Sequence, residues 1–238
     1  MEGFLALGFL IGMQHALEAD HLAAVGAMAS GRPSSRRALV LRGAAWGLGH
    51  SMTLFAICSV VILLGLTLTD RVSAALEFGV GVMLVLLGID VLARFRRKRV
   101  HFHLHRHDDG QPHLHAHIHA GEGEHRRSPH EHRHPDGLPW RALAIGLVHG
   151  AAGSAGLLVL AVAATQDPLV AILYIAVFGL GSILGMAALS FVAAWPLGLA
   201  ANRARWLHTA FSIGAGFLAI GLGIDVMFET GALAWSVF

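Results

Sequence analysis

The chain has 238 residues, 55% of them hydrophobic and only 13% charged, and its mean hydropathy is positive. That balance excludes an ordinary soluble domain and points to a polytopic membrane protein. The single cysteine, Cys58, excludes an intrachain disulfide or a thiolate cluster, and the formal charge of +2 decides little beside seventeen titratable histidines.

Six apolar stretches reach the roughly 20 residues that a helix needs to cross a bilayer. They are 4–28, 43–66, 73–93, 140–164, 168–194 and 207–228. The expected fold is an all-α polytopic membrane protein with six transmembrane helices. Residues 1–93 hold the first three spans, 94–139 form a polar loop, and 140–238 hold the last three.

Inside the first span the chain reads His15-Ala-Leu-Glu18-Ala-Asp20-His21. His15 lies about 17 Å along a helix that starts at Phe4, near the bilayer centre. Four ionisable groups at that depth are costly, and such groups usually face a bundle interior and mark an ion path. Imidazole with carboxylate is a ligand set for a divalent transition metal. In a regular helix His15, Glu18 and His21 drift around the axis, and Asp20 falls off their stripe. A straight helix therefore cannot aim all four at one ion. A local unwinding can, or a subset such as His15, Asp20 and His21 can serve with the backbone.

In the second span His50 follows Gly47-Leu48-Gly49, whose small residues let a neighbouring backbone come close. It reads as a ligand or as a hydrogen-bonded interhelical histidine. Asp90, near the end of the third span, precedes Arg94 and Arg96 and suits an interfacial ion pair. His149 in the fourth span reads as a ligand, an orienting group or a packing residue. His208 sits beside Arg205 and Trp206 as an interfacial anchor.

Twelve of the seventeen histidines lie between His101 and His134. Two runs alternate strictly: His101, His103, His105 and His107, then His113, His115, His117 and His119. In an extended strand each run places its imidazoles along one side. The segment has almost no apolar core residues, so it is expected to be disordered without metal. It reads as a buffer, sensor or hand-off device outside the bilayer.

Sixteen of the seventeen Lys and Arg residues fall on the 1–2, 3–4 and 5–6 connections, and only Arg71 falls on the other face. The basic face is expected to be cytoplasmic, with both termini extracytoplasmic, in the cytoplasmic membrane.

The halves resemble each other. Ile11-Gly12-Met13-Gln14-His15 matches Ile145-Gly146-Leu147-Val148-His149, and Gly47-Leu48-Gly49 matches Gly179-Leu180-Gly181. Gly79-Val80-Gly81 matches Gly214-Ala215-Gly216, and Leu87-Gly88-Ile89-Asp90-Val91 matches Leu222-Gly223-Ile224-Asp225-Val226. The offsets are 134, 132, 135 and 135. With three spans each, the copies enter the membrane from opposite sides, which predicts two inverted three-helix repeats with a substrate site between them.

The stretch His15-Ala-Leu-Glu-Ala-Asp20-His21 resembles the His-x4-Asp-His signature of the nickel/cobalt transporter family. Gly49-His50-Ser51 is similar to that family's second signature, and His149-Gly-x-x-Gly-Ser looks most like its urease-accessory nickel permease branch. The resemblance covers most of both halves but not the histidine-rich loop. It implies metal recognition by His15, Asp20 and His21, with His50 contributing. It also implies a secondary transporter for Ni²⁺ or Co²⁺, most readily an importer. An efflux protein on the same scaffold is the alternative. Cytoplasmic nickel chaperones or metalloenzyme maturation proteins are implied as partners, beside the lipid bilayer and the metal ion. No nucleic acid and no resident cofactor is expected.

An intramembrane metalloenzyme would need a metal with an open position and a placed base. The chain has no His-Glu-x-x-His, so it is not expected to be an enzyme. A metal sensor fits the repeat poorly.

Overall fold

The computed structural model describes residues 2–29, 36–97, 100–106, 112–118, 139–153, 161, 165, 167–203 and 205–234. Among them are seven helices: α1 (Glu2–His15), α2 (Ala19–Ala29), α3 (Arg36–Leu63), α4 (Asp70–Arg97), α5 (Trp140–Ala152), α6 (Pro168–Arg203) and α7 (Arg205–Ala234). Among the described residues, four stretches are long and apolar enough to cross a membrane: Arg37–Leu63, Asp70–Arg94, Pro168–Ala193 and Thr209–Ala234. This is a helical, multi-pass membrane architecture.

Helix starts follow local chemistry. The Asp167 carboxylate accepts a hydrogen bond from the Leu169 amide at 2.9 Å, and Pro168 supplies a preset φ at the first helical position of α6. Thr69 caps α4 in the same way through the Val72 amide.

The apolar stretch 4–28 is not one helix. It breaks at Ala16–Glu18, where the Leu17 amide donates to the Gln14 carbonyl at 2.8 Å and the Glu18 amide to the His15 carbonyl at 3.1 Å. These are tight i→i+3 bonds of a closing turn. The chain then restarts as α2 with Asp20 in the first turn, where an acid is favoured by the exposed amides. Of the stretch 140–164, α5 covers the first half and ends in a turn at Gly153; residues 154–160 lie outside the described set.

Two segments of the loop depart from an all-helical reading. Val100–Arg106 and Pro112–Ile118 pair as antiparallel strands β1 and β2, in a register that sets His101 opposite His117, His103 opposite His115 and His105 opposite His113. Alternating polar and apolar residues suit strand geometry, with its period of two. His107 and His119 lie outside the described residues.

The helices of one half pack on those of the other: α3 on α5 and α6, α1 on α6, and α4 on α7. Glycines set the distance. A Cβ on Gly12 would overlap the Phe178 carbonyl, and one on Gly146 would overlap the Trp46 carbonyl. Likewise Gly181 faces the Phe9 carbonyl and Gly49 the Leu143 carbonyl. Shifting each residue by the repeat offset converts one contact of each pair into the other, so the halves pack on each other reciprocally. The Ser51 hydroxyl adds a hydrogen bond to the Gly179 carbonyl at 3.0 Å. Two apolar clusters flank these contacts. One centres on Trp46, Leu84 and Met186, the other on Leu54, Tyr174 and Ile175.

Candidate metal site

The turn at Ala16–Glu18 ends α1 at His15 and begins α2 just before Asp20. It swings both onto the inner faces of α3 and α5. His15 and His21 come to rest with ring centroids 4.6 Å apart. His50 of α3 lies 5.2 Å from each of them, and His149 of α5 lies 4.3 Å from His21. All six intramembrane residues singled out from the sequence thus converge: His15, Glu18, Asp20, His21, His50 and His149.

Their hydrogen bonds fix which nitrogens are free. The Asp20 carboxylate accepts from His21 Nδ1 at 2.8 Å through one oxygen, and from His149 Nε2 at 2.9 Å through the other. It also accepts from the His21 amide at 2.7 Å. Glu18 accepts from His15 Nδ1 at 2.7 Å. A neutral imidazole has one donor and one acceptor nitrogen. Donation to the carboxylates therefore leaves lone pairs on His15 Nε2, His21 Nε2 and His149 Nδ1. Carboxylates that orient metal-binding imidazoles in this way are a recurring feature of metal sites.

Three buried ring nitrogens have no hydrogen-bond partner among the described residues: His21 Nε2, His50 Nδ1 and His149 Nδ1. Their side chains are 1%, 0% and 2% exposed. A buried polar atom left unsatisfied costs roughly 1–3 kcal/mol. Unpartnered ring nitrogens in one cluster of imidazoles are the donors that a bound cation takes up.

The spacing also suits a metal. His15 Nε2 and His50 Nε2 stand 3.2 Å apart. Metal–nitrogen bonds of about 2.0–2.1 Å place two neighbouring ligands of one ion roughly 2.9–3.4 Å apart. Two triads have ligand atoms all within 4.8 Å of one another, His15–His21–His50 and Asp20–His21–His149, and they share His21. Trp46 flanks His21 and His149, and Phe178 flanks His15, so the imidazoles sit against aromatic walls.

A cavity of about 730 Å³ leads to this cluster. Beyond the six residues its lining includes Gln14 and Glu77, and Glu77 is absent from the sequence-derived candidates. The signal was present: Glu77 is an acid near the start of the apolar stretch 73–93, where an ionisable group is expensive. Asp90 is not in the cavity. It pairs with Arg94 and Arg141 near the opposite end of α4, the interfacial pairing its neighbours suggested. The histidines of the loop contribute nothing described to this cluster, and the side chain of His208 lies outside the described residues.

Comparison with known proteins agrees with this chemistry. A family model described as "High-affinity nickel-transport protein" matches residues 2–236. The urease accessory protein UreH of Bacillus sp. (strain TB-90) is 32% identical over 228 residues, covering 95% of this chain and 91% of that protein. No solved structure matches the chain.

Proposed function

Because the chain belongs to the NicO family of high-affinity nickel-transport proteins, we propose that it takes up Ni²⁺, and Co²⁺ with it, across the cytoplasmic membrane as a secondary transporter. The observation that carries this reading is the convergence of four imidazoles and Asp20 at the end of a cavity within a helical membrane bundle. Nickel is the cargo. Imidazole nitrogens suit it, and the two carboxylates fix the tautomer and direction of the rings they hold.

The ion exchanges water for His15 Nε2 and the His50 ring, then meets His21, which belongs to both triads. A site shared in this way lets one ligand stay bound while the others change. The reciprocal packing of the halves supports an inverted repeat of two three-helix units, in which 4–28 and 140–164 are the first span of each unit. In such folds rocking of one repeat against the other exposes a central site to each side in turn. The cavity reaches the cluster past Glu77, near the Asp70 end of α4, and that end is opposite the arginine-rich connections. By the positive-inside rule this is the outer face, and both termini share it. The cytoplasmic loop, with its paired histidines, is placed to collect metal on the inner side and to meet nickel chaperones.

Radioactive nickel accumulation by cells with and without the protein tests the reading. Greater accumulation is expected. Lower accumulation would reassign the protein to export, and no change would remove the transport reading altogether.

A further inference from the structure

We propose that Glu77, with Glu18 of the same cavity, forms an outer capture point where the hydrated cation is held before it reaches the imidazoles. The inference rests on the transport reading above and adds a residue and a step to it.

Four observations carry it. Glu77 lines the same cavity as Glu18, His15, His21 and His50, although it comes from α4, outside the histidine-bearing helices. Its carboxylate is held by the Ser73 hydroxyl, which donates to Oε1 at 3.2 Å one turn earlier on the helix. His15 spans the two zones of the cavity. Its Nδ1 touches Glu18, which is 56% exposed, and its Nε2 touches His50, which is fully buried with Nδ1 unpartnered. Lastly, the acids of the cavity all come from the first half. The repeat mates of Glu18, Asp20 and Glu77 are Ala152, Ser154 and Ser212.

The chemistry differs between the zones. Carboxylate and amide oxygens are hard ligands that suit a cation still carrying water, and Gln14 adds one to the lining of the same cavity. Imidazoles suit the cation once water is lost. A cleft lined by one sign of charge within low-dielectric walls raises the local concentration of its counter-ion. The missing acids in the second half mean that the equivalent mouth on the other side lacks this attraction. Capture is thus built into one face only.

The test is nickel transport by the intact protein in proteoliposomes, with the amount of inserted protein measured. Glu77→Gln should raise KM for nickel by about fivefold to tenfold while Vmax stays within about twofold of wild type. Glu77→Asp should restore most of the affinity. The wild-type KM should rise with ionic strength more steeply than that of Glu77→Gln. An unchanged KM, or a fall in Vmax at unchanged KM, overturns the inference. A second measurement does not depend on activity. In a Cys58→Ser background, Glu77→Cys should react with a membrane-impermeant thiol reagent from outside the cell, and nickel should slow that reaction. An inserted protein that does not react, or whose reaction nickel leaves unchanged, also overturns it. Wild-type protein that carries no nickel would instead sink the transport reading itself, so the two failures are distinct.

Discussion

Three of the four imidazoles of the cluster, His15, His21 and His149, are each held by a carboxylate. Asp20 holds two rings at once, His21 next to it in the chain and His149, which lies 129 residues from Asp20. Outer carboxylates of this kind are worth 10–100-fold in metal affinity. Asp20→Asn should therefore lower nickel affinity by about that factor, because an amide frees the tautomers of both rings. Glu18→Gln should cost less, since Glu18 is largely exposed and holds one ring only. His15→Ala and His21→Ala each remove a ligand atom and should reduce transport to below about a hundredth of wild type. Uptake assays on variants matched for membrane content check all four. Wild-type rates in either histidine variant would remove the assigned site.

At the level of elements, the close approach of helices depends on a few glycines, and these divide into two groups. Gly146 has no room for a Cβ, because the Trp46 carbonyl occupies that place. Gly79 has nothing within 4 Å of a Cβ. Gly146→Ala forces α5 away from α3, and overpacking of this kind costs about 1–3 kcal/mol. Gly79→Ala gains helix propensity, up to about 1 kcal/mol, with no clash. Thermal unfolding of the purified protein in detergent should show a lower midpoint for Gly146→Ala and an equal or higher one for Gly79→Ala. A raised midpoint for Gly146→Ala would contradict the packing described. The break between α1 and α2 acts at the same scale. Apolar content alone made 4–28 one span, since hydropathy counts side chains and ignores backbone direction. The ionisable residues within it signalled that a straight helix was insufficient, and the turn at Ala16–Glu18 is the outcome.

At the scale of the whole molecule, the histidine-rich loop and the histidine cluster of the helices are proposed to serve separate roles. Deleting residues 101–134 leaves α1 to α7 intact, so nickel transport should persist with altered metal dependence. A peptide of residues 101–134 should bind nickel at pH 7.5 and lose it steeply toward pH 6. Histidines in water titrate near pH 6.5, and protonation removes the lone pair that binds metal. Calorimetry on the peptide and uptake by the deletion variant check the two halves of this prediction. An inserted but inactive deletion variant would make the loop part of the path. Topology is testable in the same set of variants. A cysteine placed near Gly110 in the Cys58→Ser background should resist impermeant reagents applied to intact cells, because the proposed six-span topology puts sixteen of seventeen basic residues on that face.

What the sequence determined by itself was class and chemistry. Long apolar runs, ionisable groups inside them and the offset matches between halves are properties of the chain, legible without coordinates. So were His15, Asp20, His21 and His50, because charge and imidazole in an apolar span are conspicuous. Only the tertiary structure decided how these groups divide the work. It placed His149 on the second oxygen of Asp20, set His21 between two triads, walled the rings with Trp46 and Phe178, and brought Glu77 into the cavity. Each of these is a contact between residues from different helices. Its distance is set by how closely glycine-lined helices approach, a property that no single segment of the chain carries.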